Sequence, residues 1–575
     1  MFPLLCRSCL NSGIAASNHL GAARHPSLAK EGKFHNITRV ALLLLLAVVT
    51  MALAGCDQPS APASSSGSTA APAAAAFSIL ATSDLRDAEP LAGMIQQATG
   101  VKVRFVFGGT MESADKVING KADTDAAWFA NAKYVLSDPA GQARVKMQEK
   151  IMLSPLVIGV SQSDAQRLGW TGDAKVTWQS IAEAAQAGKL RYAMSNPASS
   201  NQGFMALMGV AAAFADKPEA LTLADVRKDR VREFLAGYKL VGDNSTYLAE
   251  KFIEKQGAEI NAFINYESWL LSLNQSGKLR EPLALIYPHE GVATADYPLL
   301  LLDDAKRADY VKIVDYLKGP GAQRWLAEKT LRRPLNPDVA RQTASLFPSG
   351  RLLVELPFTA DRAVADALLD AYMNQFRTPI ASVFVLDVSG SMNEAGRRQG
   401  LVESLHFLAG ADNSITGRLA RLASRERVIM LPFSTMVLPQ RQFDIPANDQ
   451  AKAQTFAQIR SYADGLRMEG RTRLYDAALA ALKFLADEKM KNPGYLYSVV
   501  LFTDGQSNEG LDLAGFQQAY QQLSPAARDI PVFAILYGEG NVKALEAVAQ
   551  LTRGKTFDAR KVRLPTVFRE IRAYQ

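Results

Sequence analysis

Ser382-Val-Phe-Val-Leu-Asp-Val-Ser-Gly-Ser-Met392 is the stretch on which the fold of the carboxyl-terminal third turns. Ser382 to Leu386 is a continuous apolar run of the kind that a strand buried on both faces requires. It ends abruptly in Asp387, Ser389 and Ser391, spaced D-x-S-x-S. Val428–Leu431, Ser498–Phe502 and Val532–Tyr537 are runs of the same style, and the second of them leads into Thr503-Asp504-Gly505. Helical patterns lie between and beyond them at Leu401–Leu408, Ala451–Leu466, Leu474–Asp487, Leu513–Leu523 and Val542–Leu551. Strands alternating with helices predict a doubly wound parallel sheet, with its ligand site outside the carboxyl ends of the strands.

Three oxygen-bearing clusters fall at those ends: Asp387 with Ser389 and Ser391, then Thr472, then Asp504. Taken singly, Asp504-Gly505 reads as a turn and Ser389-Gly390-Ser391 as a loop. Taken together, hydroxyls and carboxylates without His or Cys suit a hard cation such as Mg²⁺. With only two carboxylates the cation keeps positive charge and an open position for an outside carboxylate. The motifs VLDVSGSM, LYDA after Thr472, and LFTDG resemble, in order and context, the metal-ion-dependent adhesion site of von Willebrand factor A domains. The resemblance covers the last 195 or so residues. It implies Mg²⁺, or Mn²⁺ or Ca²⁺, held directly by Ser389, Ser391 and Thr472 and often through water by Asp387 and Asp504. It also implies a protein partner that presents Asp or Glu to the metal. Arg397, Arg398, Arg471 and Arg473 flank these loops and are expected to form a positive rim, unless they pair with local acids such as Glu469 and Asp476.

An earlier region repeats the α/β pattern. Phe77–Thr82 reads as a strand followed by Ser83-Asp84, and Val101–Phe107 as a second strand followed by Gly108-Gly109-Thr110. Leu190–Met194 runs into the polar loop Ser195–Gly203 and an apolar helix. Ser83, Thr110, Ser199 and Ser200 fall at strand ends where helices begin, so each offers either a cap or a hydroxyl beside helix N–H groups for an anion. The order of elements, with ATGVKVRFVFGGT, AMSNPASSNQG and IYPHEGVATADYP, resembles the type II periplasmic solute-binding proteins, especially oxyanion binders. The resemblance implies two lobes, hinge strands near Leu153–Val160 and Leu283–Tyr287, and a ligand cleft. By position it nominates Ser83, Thr110, Ser199, Ser200 and Tyr287 for the cleft. Gly108-Gly109-Thr110-Met111 departs from the Ser-rich turn of that family, which leaves the ligand open. Trp128 reads as cleft lining or core, and His289-Glu290 as loop.

The amino terminus reads as an address. Val40–Ala54 is an apolar run of 15 residues after a basic flank, too short to span a bilayer and laid out as a secretory signal. Leu53-Ala54-Gly55-Cys56 resembles a bacterial lipobox, which implies lipidation of Cys56. Asp57 after it resembles an inner-membrane retention signal. Asp57–Ala76 has no large apolar side chain and reads as a flexible tether. The chain holds 64 Lys and Arg against 57 acids; the first 55 residues account for +4 of the net +7. The body is therefore not the basic surface of a nucleic-acid binder. Its three Cys are Cys6, Cys9 and Cys56, so processing before Cys56 leaves no free thiol. Only His289 and His406 lie beyond the signal, and no phosphate loop, nucleophile elbow or His-Glu-x-x-His occurs, which argues against an enzyme.

The expected architecture is α/β: a two-lobed type II periplasmic-binding-protein fold, then a doubly wound Rossmann-like domain. The expected segments are a signal at 1–55, lipidated Cys and linker at 56–76, a solute-binding-like domain at 77–345, a connector at 346–377 and a von Willebrand factor A domain at 378–575. The expected function is a lipid-anchored binding or adhesion-type protein facing the periplasm or exterior. The alternative is a transport or sensing receptor for a small solute, with anions among the candidates.

Overall fold

The computed structural model describes residues 76–575 apart from 217–220, 243, 258, 349–352, 359–360, 395, 505–506, 538–541 and 561–563. Cys56, the apolar run before it and the tether as far as Ala75 lie outside the described residues. Among the described residues no helix is long and apolar enough to cross a membrane.

The first lobe is a sheet of β1 (Phe77–Thr82), β2 (Val103–Gly108), β3 (Ala126–Trp128), β4 (Met147–Lys150) and β11 (Pro298–Leu301), in the order β2-β1-β3-β11-β4. β1 pairs in parallel with β2 on one side and β3 on the other, so the order reverses at its carboxyl end. The second lobe is a sheet of β5 (Met152–Ser161), β6 (Tyr192–Ser195), β7 (Tyr238–Gly242), β8 (Ala262–Tyr266) and β10 (Thr294–Ala295), in the order β10-β5-β8-β6-β7. β9 (Leu283–Ile286) and β12 (Arg333–Pro334) also pair with β5. β6 lies between β7 and β8 and parallel to both, so this sheet has its own reversal at the end of β6. Ligands bind at such reversals in open α/β sheets, and the two lobes point theirs at one cleft.

The chain crosses between lobes at Ile151, between β4 and β5, and returns through Asp296 and Tyr297, between β10 and β11. The return crossing thus corrects the expectation of a hinge at Leu283–Tyr287: β9 sits wholly within the second sheet, antiparallel to β5. Tyr297 takes a positive φ of 42° there, and buried Arg332 stacks over its ring at 4.9 Å. Trp128 is core, fully buried with Nε1–H donating to the Tyr297 carbonyl. His289-Glu290 is a loop, and the Glu290 carboxylate accepts from the Trp178 N–H.

The second domain is one sheet of β13 (Ile380–Asp387), β14 (Arg427–Phe433), β15 (Arg441–Asp444), β16 (Leu496–Thr503), β17 (Val532–Leu536) and β18 (Lys555–Asp558), ordered β15-β14-β13-β16-β17-β18. All eight residues of β13 are buried, because it pairs with β14 and β16 and helices cover both faces. That is why its sequence runs apolar without alternation. The order reverses between β13 and β16, which is where Asp387 and Asp504 emerge.

Helix Arg362–Ala371 and the wide turn Tyr372–Phe376 join the domains. The last helix, Leu564–Ala573, packs on the second sheet, with Phe568 stacked on Phe384. It also reaches the first domain: Arg569 pairs with Glu112 at 2.7 Å. Near its end the Arg572 guanidinium and that of Arg377, from the connector, both meet Glu426 in the interior. Burial drives the Arg377 pKa down to about 9 and that of Arg572 to about 10. A single carboxylate therefore carries two desolvated cations at the junction.

Candidate functional site

Two sites emerge, one per domain. In the second, backbone bonds stitch the loop after β13 to the Thr472 loop. Gly390 N–H donates to the Gly470 carbonyl at 3.0 Å, and Glu469 N–H to the Val388 carbonyl at 2.8 Å. Gly470 makes this turn at φ +83°, and a Cβ there would lie 2.6 Å from Thr435 Oγ1. Asp387 is fully buried: its Oδ1 accepts from the Ser389 N–H at 2.9 Å and its Oδ2 from the Thr503 hydroxyl at 2.7 Å. Burial pushes its pKa up to about 6, against those hydrogen bonds and aided by the nearby Asp504 charge. The hydroxyls of Ser389 and Ser391 lie 3.1 Å apart. Thr472 is buried, with its N–H bound to Asn508 Oδ1 and its carbonyl accepting from the Asn508 N–H.

Asp504 is buried and its Oδ1 has no hydrogen-bond partner. Its Oδ2 accepts from Arg397 at 3.0 Å, and the same guanidinium nitrogen donates to the Ser391 carbonyl at 3.1 Å. Among the described residues no group of three or more His, Cys, Asp or Glu could hold a metal. Any cation at this corner therefore draws on hydroxyl oxygens, and the Ser, Thr and Asp donors present fit a hard divalent ion. The orphaned Oδ1 of Asp504 fits the same ion, because a buried carboxylate oxygen without a partner is costly.

The four arginines expected at the rim each have local partners in the structure. Arg397 turns inward onto Asp504 and is largely covered. Arg398 donates to the Leu466 and Asp464 carbonyls. Arg471 and Arg473 both lie 3.4 Å from Glu509, a partner the sequence reading did not name, and Arg473 is also 3.9 Å from Asp476.

The first domain's cleft holds a cavity of about 410 Å³. Of the five residues nominated for it, Ser83, Thr110, Ser199 and Ser200 line it. Tyr287 does not. It lies just past β9, with β5 and β8 between it and β6, and its hydroxyl donates to buried Glu267, which also binds Arg333. The cavity wall adds Arg86, Asn201, Gln202, Asn244, Ser245 and Trp269. Helices Thr110–Ile118, Asn201–Ala213 and Ser245–Lys255 all begin at the wall. The first two have no cap from the side chain of their N-cap residue, although Ser195 takes the Gly203 N–H of the second.

The β6 end is packed tightly to build this wall. Ser195 Oγ contacts Ser200 Oγ at 2.8 Å and accepts from the Gly203 N–H at 3.1 Å. A Cβ on Gly203 would lie 2.1 Å from the Ser195 carbonyl oxygen, so only glycine lets the helix start against the strand. Gln202 ties the same turn to β8 through the Ile264 carbonyl at 2.7 Å. Asn244-Ser245 follows β7 as a helix cap, a polar pair at a helix start of the same kind as Ser199-Ser200.

Comparison with known proteins accounts for both halves. Residues 78–330 match the family model of bacterial extracellular solute-binding proteins, and residues 383–570 that of the von Willebrand factor type A domain. No curated protein matches the chain. Among solved structures, it is similar to a periplasmic binding protein, AfuA, from Actinobacillus pleuropneumoniae with fructose-6-phosphate bound. There the identity is 15% and the TM-score 0.40, covering 53% of this chain and 99% of that one. The sulfate-binding protein SubI from Mycobacterium tuberculosis has 18% identity and a TM-score of 0.38, covering 50% and 96%. A ferric binding protein from Campylobacter jejuni has 11% identity and a TM-score of 0.41, covering 52% and 98%. The chain thus joins a bacterial extracellular solute-binding domain to a von Willebrand factor type A domain.

Proposed function

We propose that this is a non-enzymatic binding protein, anchored to the outer face of the cell membrane through lipidated Cys56. Its second domain grips an Asp or Glu of a protein partner through Mg²⁺ held by Asp387, Ser389, Ser391, Thr472 and Asp504. The observation that supports this reading is the unpartnered, buried Oδ1 of Asp504 beside the paired hydroxyls of Ser389 and Ser391, at the reversal of the sheet. A bound divalent cation supplies Lewis-acid attraction for one carboxylate oxygen of the partner. The chain supplies the rest. Asp387 orients the Ser389 loop through its backbone N–H, and the Gly470 turn sets Thr472 beside that loop.

Titration of Mn²⁺ into the full chain should give one saturable site, lost in Asp387→Ala. Partner capture should be lost in EDTA and restored by Mg²⁺. Capture that is equal with and without chelator overturns the reading.

A second reading concerns the first domain, as a receptor for a small anionic solute. Three helix amino termini begin at one polar cavity, which favours it. The two readings are compatible in one chain.

A further inference from the structure

Two residues on the cleft wall belong to the other domain: Lys555 and Glu570. Lys555 opens β18, and its ammonium donates to Tyr574 Oη at 2.7 Å. It also sits over the rings of Phe557 and Tyr574, at 5.0 and 4.7 Å from their centroids. Tyr574 Oη in turn accepts from Asn244 Nδ2 at 3.3 Å, and the Tyr574 ring meets Tyr247 edge-on at 4.7 Å. Asn244 caps the Ser245–Lys255 helix on the cleft's second lobe. The ammonium is therefore fixed at the wall by a contact that spans both domains, and the polar group that fixes it is a phenol rather than a carboxylate.

The other charges on the wall do not cancel it. Glu112 is already shared between Lys116 at 2.8 Å and Arg569 at 2.7 Å. Glu570 has a partner of its own. Asp84 is buried with its Oδ2 unpartnered, and burial raises its pKa, which favours the neutral acid over the carboxylate; Arg332 holds only its backbone carbonyl, together with the Asp87 carboxylate. Arg86 adds a second cation, stacked over Phe107 at 4.5 Å. Two cations and the helix starts at the wall, that of Thr110–Ile118 without a side-chain cap, favour anionic oxygens. A cavity of about 410 Å³ falls in the range of roughly 300–1,000 Å³ typical of sites for small organic ligands, and is roomy for a bare oxyanion.

We propose that Lys555 of the von Willebrand factor A domain is a ligand-contacting residue of the solute cleft, whose ligand is a small organic anion bearing phosphate or carboxylate on a polar body. The cleft is then complete only when both domains are in place. This rests on the receptor reading of the first domain.

The test titrates glycerol 3-phosphate and citrate into the full chain, followed by Trp269-sensitive fluorescence and calorimetry. The wild type should bind at least one of them saturably. Lys555→Gln should weaken that binding about 10- to 100-fold, the loss expected for one charge-assisted hydrogen bond, and should flatten its dependence on ionic strength. Lys555→Arg should restore most of both. If the wild type binds and Ser200→Ala weakens binding while Lys555→Gln changes nothing, the two-domain site is wrong and the receptor reading stands. If the wild type binds neither anion, the receptor reading fails and this proposal fails with it.

Discussion

The two sites use one topological device and opposite materials. Each sits where a parallel sheet reverses, at the ends of β13 and β16 in one domain and of β1 and β6 in the other. At the β13 corner the donors are side chains packed into a closed space, with Asp387 and Asp504 buried and two serine hydroxyls in contact. At the cleft the donors are backbone helix starts and scattered polar side chains around an open cavity. Side chains in a short spacing concentrate charge on a point, which suits an ion. Helix starts spread partial charge over a wall, which suits a larger anion. If the comparison is right, the two sites fail separately when their own residues are changed, and together only where the junction is broken.

The junction is the strongest place to try. Glu426 is buried and carries both Arg377 and Arg572. Glu426→Gln leaves two desolvated guanidiniums without an anion, a loss of about 3–5 kcal/mol by analogy with other broken buried ion pairs. Denaturation followed by second-domain signals should shift accordingly. Because Arg572 and Tyr574 lie in one short stretch, anion binding at the cleft should weaken as well. A variant with unchanged stability would show that burial at this junction is far less than the structure has it.

Gly203→Ala is the smaller, one-sided break. The added Cβ meets the Ser195 carbonyl oxygen at 2.1 Å, and the neighbour is backbone that cannot rotate away. The helix start must then lift from β6, at about 1–3 kcal/mol. Cleft binding should fall while Mn²⁺ binding at the second domain stays as in the wild type. Loss of both would mean that the two sites are not separable.

The same contrast explains what was legible beforehand. Asp387, Ser389 and Ser391 fall within five consecutive positions, and Asp504 directly follows β16, so strand reading alone put them at one sheet edge. Ser83, Thr110, Ser199 and Ser200 were legible for a related reason, as hydroxyl residues in strand-to-helix connections where a helix begins. Tyr287 rested on the family resemblance alone and was misplaced, because matching by position in the chain does not give a strand's place in the sheet. β9 proved to be an outer strand, with β5 and β8 separating it from the cleft. Lys555 was out of reach in principle. It arrives at the cleft through the docking of one domain on another, and no local pattern near β18 encodes that. Arg397 was seen as a rim charge; its inward turn depends on the approach of the β16 end to the start of the Arg397–His406 helix, a tertiary fact.

Arg397 also carries the smallest effect and the sharpest one. Its guanidinium holds one oxygen of Asp504 at 3.0 Å and leaves the other without a partner. A positive side chain at that distance repels any divalent cation drawn to the same carboxylate, and partial burial keeps the repulsion from being fully screened. Two outcomes follow from its placement. If Arg397 merely braces the loop, through its bond to the Ser391 carbonyl, Arg397→Ala should weaken Mn²⁺ binding by loosening Ser391. If its charge competes with the cation, Arg397→Ala should tighten Mn²⁺ binding by roughly tenfold, the equivalent of about 1.4 kcal/mol, and Arg397→Gln should do the same while keeping a donor for the Ser391 carbonyl. The structure favours competition, because Asp504 is already half-neutralised by Arg397 and the Ser391 loop is separately held by Asp387 and the Gly470 turn. Calorimetry of both variants decides between them: tighter binding in both supports a tethered cation that sets metal affinity, and weaker binding in both assigns Arg397 to the loop. Anion binding at the cleft should be the same in all three proteins, which is the comparison in its strictest form.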